Sequence, residues 1–160
     1  MIVVVGITDF GSAFNTKQIL NSAAREGARL GANATMADVT NSTPNSVTAI
    51  RDAVHNYLIN ANMNDCGLGA ASPGTPSGLA WTYQLNAACP GGGTLTLVIN
   101  RGAVFQTSGT PGITIEMTAV HLSYPFQWRF GKLMNLIVPS PGYGVGITQI
   151  SADAVLSNGD

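Results

Sequence analysis

The sequence predicts an α+β domain, in which a long N-terminal helix and a second helix pack on an antiparallel β-sheet of about three to five strands. Two observations carry this prediction. Up to Ala61, apolar residues recur at three- and four-residue steps, the period of amphipathic helices. From residue 94 onward the period falls to two, which is typical of strands. Helices followed by strands indicate an antiparallel sheet rather than alternating βαβ units.

The first predicted helix covers residues 2 to about 34. Its first half is bulky, with Ile7, Phe10 and Phe14 at helical spacing. Its second half continues this stripe with one leucine and four small residues: Leu20, Ala24, Gly27, Ala28 and Gly31. Because small residues let a neighbouring backbone approach closely, we expect this half to pack tightly.

Three charged residues, Arg25, Glu26 and Arg29, lie within five positions of this helix and off its small-residue stripe. The clustering is unusual, because the chain has only 7 Lys and Arg and 8 Asp and Glu. Glu26 and Arg29 have the spacing of a helix ion pair, worth about a few tenths of a kcal/mol if exposed. The three side chains form either a solvated face or contacts with the sheet or with a neighbouring subunit.

A second amphipathic helix is predicted from about 44 to 61. Thr43 and Pro44 give it a favourable start, with a hydroxyl cap followed by proline in the first turn. An apolar stripe then runs along one face: Val47, Ile50, Val54, Leu58 and Ala61.

Residues 64 to 93 are rich in Gly, Pro and Ser and are predicted to be loop, with a short strand around Trp81 to Leu85. Cys66 and Cys89 both lie in this segment. In an oxidising compartment we expect them to form a disulfide that keeps the loop ordered. The alternative is two free thiols that only pack.

Three further strands are predicted at 94–100, at 112–126 ending at Pro125, and at 144–157. The apolar, irregular stretch 128–142 between the last two is compatible with a turn of helix. The length fits one domain, with residues 1–34 as the N-terminal helix, 35–93 as helix two and the disulfide loop, and 94–160 as the sheet.

Composition argues against nucleic acid as a partner. The formal net charge is −1, and charged residues make up 9%, against about 25% in typical domains. Phosphate backbones are tracked by large basic patches, and none is present in the sequence. The wealth of Thr, Asn, Ser and Gln favours a secreted or surface protein.

Catalytic and metal-binding patterns are missing from the sequence. Neither His55 nor His121 has a carboxylate at metal-ligand spacing, and no HExxH, CxxC or GxSxG motif occurs. We therefore expect both histidines to be structural. The prediction is of a protein that is not an enzyme, with no catalytic residue, no cofactor and no metal.

Residues 7–32, "ITDFGSAFNTKQILNSAAREGARLGA", resemble the N-terminal helix of the TadE/TadG-like minor pilins (pseudopilins) of tight-adherence (Tad/Flp) pilus systems. The most specific part is "AAREGAR". The stretches "VHLSYPF" (120–126) and "GITQISADAVL" (146–156) are similar to the late strands of that family, while residues 35–93 show little resemblance.

The resemblance implies a pilin-like structural or assembly protein, a minor pilin, in the periplasm or on the cell surface. Its expected partners are other pilin-like subunits and the inner membrane. The apolar start, Met1 to Ile7, is far shorter than the roughly 20 residues that span a bilayer, so we expect most of the membrane segment to lie outside this sequence. The expected helix-packing or subunit-contact residues are Phe10, Phe14, Ala24, Arg25, Glu26, Gly27, Ala28, Arg29 and Gly31.

An alternative function stays open at this point. A secreted or surface-anchored binding or adhesion module could use the same scaffold and present the loop 64–93 as its recognition surface, since loops commonly carry binding residues. A small hydrolase, by contrast, lacks the residue types it would need.

Overall fold

The computed structural model describes residues 2–106, 108, 112–129 and 147–158. Two helices come first: α1 spans Ile2–Asn33 and α2 spans Asn45–Asn60. Two short 3-10 turns follow, at Leu68–Ala70 and Pro90–Gly92. The strands are β1 (Ala80–Leu85), β2 (Leu95–Gln106), β3 (Thr114–Gln127) and β4 (Ile147–Ser157).

The strands of the described residues form one antiparallel sheet in the order β1-β2-β3-β4, so that each strand pairs with its neighbour in sequence. The predicted fold class, two helices and an antiparallel sheet in an α+β arrangement, is confirmed. Both helices begin and end within one residue of the predicted limits.

Two strands differ from their predicted limits. β2 continues to Gln106 instead of ending at residue 100, after an irregularity in its pairing between Asn100 and Ala103. Pro125 does not end β3, which continues to Gln127. The proline is tolerated because β2 begins its pairing with β3 at Ser123, so no β2 residue opposite Pro125 needs a backbone donor. A turn of helix is predicted within 128–142. Residues 130–142 of this stretch lie outside the described residues.

The core lies on one face of the sheet, where alternate strand residues are buried. β1 to β3 contribute large side chains to it, whereas β4 contributes alanines. These inward residues are Trp81, Tyr83, Leu97, Ile99, Val120, Leu122, Ala152 and Ala154. Small residues suit β4, because α1 packs directly on β4 and β3 as well as on α2.

The start of α2 is capped differently from the prediction. Pro44 is the N-cap residue, and neither it nor Thr43 caps the helix through a side chain. The carboxylate of Asp38 does so instead, accepting hydrogen bonds from the Ser46 N–H at 2.7 Å and the Ser46 hydroxyl at 2.9 Å. A carboxylate at a helix N-terminus also interacts favourably with the helix dipole.

The glycines of α1 set how closely it approaches its neighbours. A Cβ atom at Gly27 would lie 3.1 Å from Val54 Cγ2, and one at Gly31 would lie 2.5 Å from Thr118 Cγ2. Thr118 is in β3 and fully buried, so it has little room to move. The glycine at position 31 is therefore required by the contact between α1 and the sheet.

We expect Gly31→Ala to lower the free energy of unfolding by about 2 kcal/mol, because overpacking costs more than the gain in helix propensity. Gly11→Ala is the matched control. No described atom lies within 4 Å of its added methyl group, so this variant should gain up to about 1 kcal/mol. Urea unfolding measures both, and equal stability of the two variants would contradict the close approach at Gly31.

Candidate functional site

The small-residue half of α1 forms the buried face of the candidate site. Ala24 and Ala28 are fully buried, as is Ala23 beside them. Gly27 and Gly31 lie on the same face, against α2 and against β3. The face thus packs on the chain's own core and is not presented to a partner.

The three clustered charges of α1 face away from that core. Arg29 Nη2 lies 3.0 Å from Glu26 Oε1, with side chains that are 69% and 40% exposed, and Arg25 is exposed. Such an exposed pair stabilises the helix by well under 1 kcal/mol. None of the described hydrogen bonds joins these three side chains to the sheet, and a contact with a neighbouring subunit stays a prediction.

A different cation of α1, Lys17, contacts the sheet. Its Nζ donates a hydrogen bond to the backbone carbonyl of Ser151 in β4. Sequence reasoning missed this residue, because nothing in the pattern around Lys17 relates it to a strand that lies 134 positions away.

The start of α1 presents large apolar side chains to solvent. Ile7, Phe10 and Phe14 are 67%, 72% and 65% exposed. Phe10 makes an edge-to-face contact with Trp128, with ring centroids 5.5 Å apart, and Trp128 makes a similar contact with Phe126 at 5.1 Å. An apolar patch of this kind, next to a polar surface, marks an interaction site in soluble proteins.

A disulfide joins Cys66 and Cys89, whose Cα atoms lie 4.6 Å apart, and the predicted pairing is confirmed. Next to it, the Asn64 side-chain amide donates to the Ala88 carbonyl at 2.9 Å. The two ends of the loop 64–93 are therefore held together, and β1 within it adds to the sheet.

Asp65 connects this loop to α2. Its carboxylate accepts hydrogen bonds from the Gly67 and Gly69 N–H groups, both at 3.1 Å, and lies 2.7 Å from His55 Nδ1. Burial by itself raises the pKa of Asp65, but the hydrogen bonds from Gly69, Gly67 and His55 outweigh it and hold the pKa below its ordinary value. The aspartate therefore stabilises the fold in its charged form.

We expect Asp65→Asn to destabilise the protein at neutral pH and to do so less as the pH falls. A carboxylate whose folded pKa is depressed contributes its stability fully above its unfolded pKa, near 3.8, and loses it as the pH falls through the lower folded value. Urea unfolding of both proteins between neutral and acidic pH measures this. If the stability difference between the two proteins grows as the pH falls below about 3.8, the charged form of Asp65 does not stabilise the fold.

His121 also has a carboxylate partner, Asp153 Oδ1, 2.6 Å from its Nδ1 across β3 and β4. A His–Asp pair can orient an imidazole for catalysis when a nucleophile is in reach. The nearby Ser123 hydroxyl, however, donates to Gln149 Oε1 at 3.0 Å. Within the described ranges no group of three or more His, Cys, Asp and Glu residues is placed to bind a metal ion.

A cavity of about 480 Å³ lies where α1, the segment that follows α2 and the end of β3 meet. Polar groups from α1, from β3 and from the segment after α2 line it, among them Thr16, Asn62, Asn64 and Gln127, and Pro90 of the disulfide loop closes one side. The cavity also includes the buried Asp9. Sequence reasoning did not place these residues together.

Arg101 is the second residue that sequence reasoning missed. It is fully buried, and its guanidinium donates to the carbonyls of Gly31, Ala34 and Thr35 at the C-terminal end of α1. Desolvation lowers the pKa of Arg101, while the charge of Asp38 opposes this effect. The sequence offered one sign of this role: Arg101 is followed by Gly102 and comes directly after the alternating stretch 94–100.

α1 thus combines an exposed apolar start with a small-residue half buried in the core. Residues 1–29 match the family model of the TadE-like proteins. The matched segment covers 29 of the 160 residues and ends within α1. The match shows a likeness to the TadE-like family over this N-terminal segment.

The TadE-like segment contains Phe10, Phe14, Arg25, Glu26 and Arg29, and all of the sheet lies outside it. No curated protein and no solved structure matches the chain. No helix in the described part of the chain has the length and apolar character needed to cross a membrane.

Proposed function

We propose that the chain is a structural or assembly subunit, a minor pilin or pseudopilin, of a tight-adherence pilus or a related secretion apparatus. It acts without catalysis and without a cofactor. The observation that carries the proposal is the TadE-like match over residues 1–29. The helix with that match presents Ile7, Phe10 and Phe14 to solvent.

The two halves of α1 have separate tasks in this proposal. The second half is buried through Ala24, Ala28 and Gly31 and fixes the helix rigidly to the sheet. The first half extends its apolar side chains outward, where they contact other pilin-like subunits or the inner membrane. The protein is then periplasmic or extracellular, and an oxidising compartment of that kind agrees with the disulfide.

Site-specific photo-crosslinking tests the proposal. Phe14 is replaced by photoreactive benzoylphenylalanine in cells that carry the complete Tad system. The matched control is the same replacement at Phe105 in β2, which is 54% exposed and lies outside the TadE-like segment. Crosslinks to pilin subunits from position 14 and not from position 105 are expected, together with reduced surface pili when the gene is deleted. Normal pili after deletion, and no pilin crosslinks, would refute the role.

A second candidate, a surface-anchored binding or adhesion module, is favoured by the cavity beside the disulfide loop. The side chains of Asn62 and Gln127 provide amide groups there, which suit hydroxyl-rich ligands such as glycans. A glycan array probed with the chain tests this candidate. Binding that Asn62→Ala and Gln127→Ala abolish, in a protein whose deletion leaves pili intact, would replace the first proposal by the second.

A further inference from the structure

The outward edge of β4 carries backbone groups that no described strand pairs. Among the described strands β4 pairs only with β3, and the Asn158 N–H donates to the Glu116 carbonyl of β3 at 2.9 Å. In an antiparallel strand both polar groups of one residue point to the same side, and the side alternates along the chain. The even-numbered residues of β4 therefore face β3, and the odd-numbered ones face outward.

The contact of Lys17 agrees with this alternation. Lys17 donates to the carbonyl of Ser151, an odd-numbered residue whose carbonyl must point away from β3. By the same alternation the N–H and C=O groups of Asp153 and Val155 point outward. Both residues are exposed, Val155 by 52%.

The opposite edge of the sheet is covered. On β1, the Thr82 carbonyl accepts a hydrogen bond from the Gly74 N–H at 2.8 Å, and Ala80 exchanges two hydrogen bonds with Ser77. The segment before β1 thus folds back over its own edge. Exposed edges attract further strands, and proteins usually cover or charge them. In the described sheet, β4 has only Lys17 in that role.

A groove of about 630 Å³ runs between α1 and the end of β4 and is lined by Arg25, Glu26 and Arg29 on one side and by residues 153–156 on the other. Lys17 and Arg25 are separated by about 12 Å along the helix, and Ser151 and Val155 by about 13 Å along the strand. The cations of α1 therefore follow the open edge.

The charged side chains that line the groove balance, two arginines against Glu26 and Asp153, and Lys17 adds one positive charge beside it. Its two carboxylates are already paired, Glu26 with Arg29 and Asp153 with His121. Lys17 and Arg25 take part in none of the described ion pairs. A partner that supplies carboxylates would complement these two cations.

We propose that the β4 edge accepts an extended, acidic segment of a partner protein as an additional strand. Main-chain hydrogen bonds form with Asp153 and Val155, and carboxylates four positions apart on the partner bind Lys17 and Arg25. In the free chain Lys17 covers the Ser151 carbonyl by donating a hydrogen bond to it. When the partner binds, Lys17 releases this carbonyl and pairs with a carboxylate of the partner. The proposal does not depend on a role in pilus assembly.

A fluorescein-labelled peptide tests the proposal. The peptide has about seven residues, a length typical of strands, mostly threonine with a central valine and two glutamates four positions apart. One control peptide has lysines in place of the glutamates, and another is N-methylated at the backbone groups that would face β4. Fluorescence anisotropy measures binding, and amide hydrogen exchange at Asp153 and Val155 reports strand pairing.

We expect saturable binding that weakens with salt and is lost with either control peptide. The double variant Lys17→Gln, Arg25→Gln should weaken binding by about tenfold. Each lost ion pair between a cation of α1 and a glutamate of the peptide accounts for about threefold. Arg129→Gln, which changes an exposed arginine that does not line this groove, is the matched control and should change nothing. The hydrogen-exchange rates of Asp153 and Val155 should fall on binding.

Three results would overturn the proposal: no saturable binding, equal binding of the N-methylated peptide, or unchanged affinity of the double variant. Equal binding of the N-methylated peptide would mean that charge alone attracts the peptide, as it would attract any anion. Because none of these measurements involves a pilus, they can fail while the pilus role holds, and the reverse is also possible.

Discussion

Replacing Arg101 by alanine is expected to lower the free energy of unfolding by about 4 kcal/mol. The guanidinium supplies hydrogen bonds to three carbonyls at the end of α1, including those of Ala34 at 2.8 Å and Thr35 at 3.2 Å. The Ala34 and Thr35 carbonyls follow the last residue of α1 and accept from no other donor among the described hydrogen bonds, so losing the guanidinium is costly. The vacated volume adds a cavity penalty.

Two further variants separate these contributions, with urea unfolding as the measurement. Arg101→Met keeps most of the volume but donates no hydrogen bond, and it should lose about 2 kcal/mol. Arg25→Ala removes an exposed arginine and should change stability by less than about 0.5 kcal/mol. If Arg101→Ala is as mild as Arg25→Ala, the guanidinium does not hold the end of α1.

Removing the disulfide through Cys66→Ala and Cys89→Ala is expected to lower the free energy of unfolding by about 3 kcal/mol. The bond closes a loop across a sequence separation of 23 residues, and its loss returns that chain entropy to the unfolded state. Thermal and urea unfolding of the oxidised wild type and the double variant measure the difference.

The wild-type protein unfolded in a reducing agent is the control for this variant. It should match the double variant, because both lack the same covalent link and retain the same packing elsewhere. If reduction leaves the unfolding midpoint unchanged, the loop is held by its other contacts, such as the bond between Asn64 and the Ala88 carbonyl, and the disulfide contributes little.

Local pattern was sufficient to predict the helices. The stripe of Val47, Ile50, Val54 and Leu58 predicts α2, and these residues are all fully buried in the structure. The small residues of α1 likewise predict a closely packed face. Helical periodicity reflects which side of one element is buried, and this information lies in neighbouring positions of the chain.

Interactions across the chain could not be predicted in that way. The cap of α2 comes from Asp38 rather than from the adjacent Thr43, because a carboxylate outside the helix reaches the Ser46 N–H. His121 obtains its partner Asp153 only through the pairing of β3 with β4, 32 positions away in sequence. No spacing rule connects such residues before the strands are in register.

The sequence by itself determined the order of helices and strands, the small-residue face of α1 with its charges on the other side, and the pairing expected of Cys66 and Cys89. Only the tertiary structure decided that Arg101 holds the end of α1, that Lys17 contacts the open edge of β4, and that loop residues cover the edge of β1. Periodicity and composition are local properties, whereas a hydrogen-bond partner depends on which distant segments the sheet brings together.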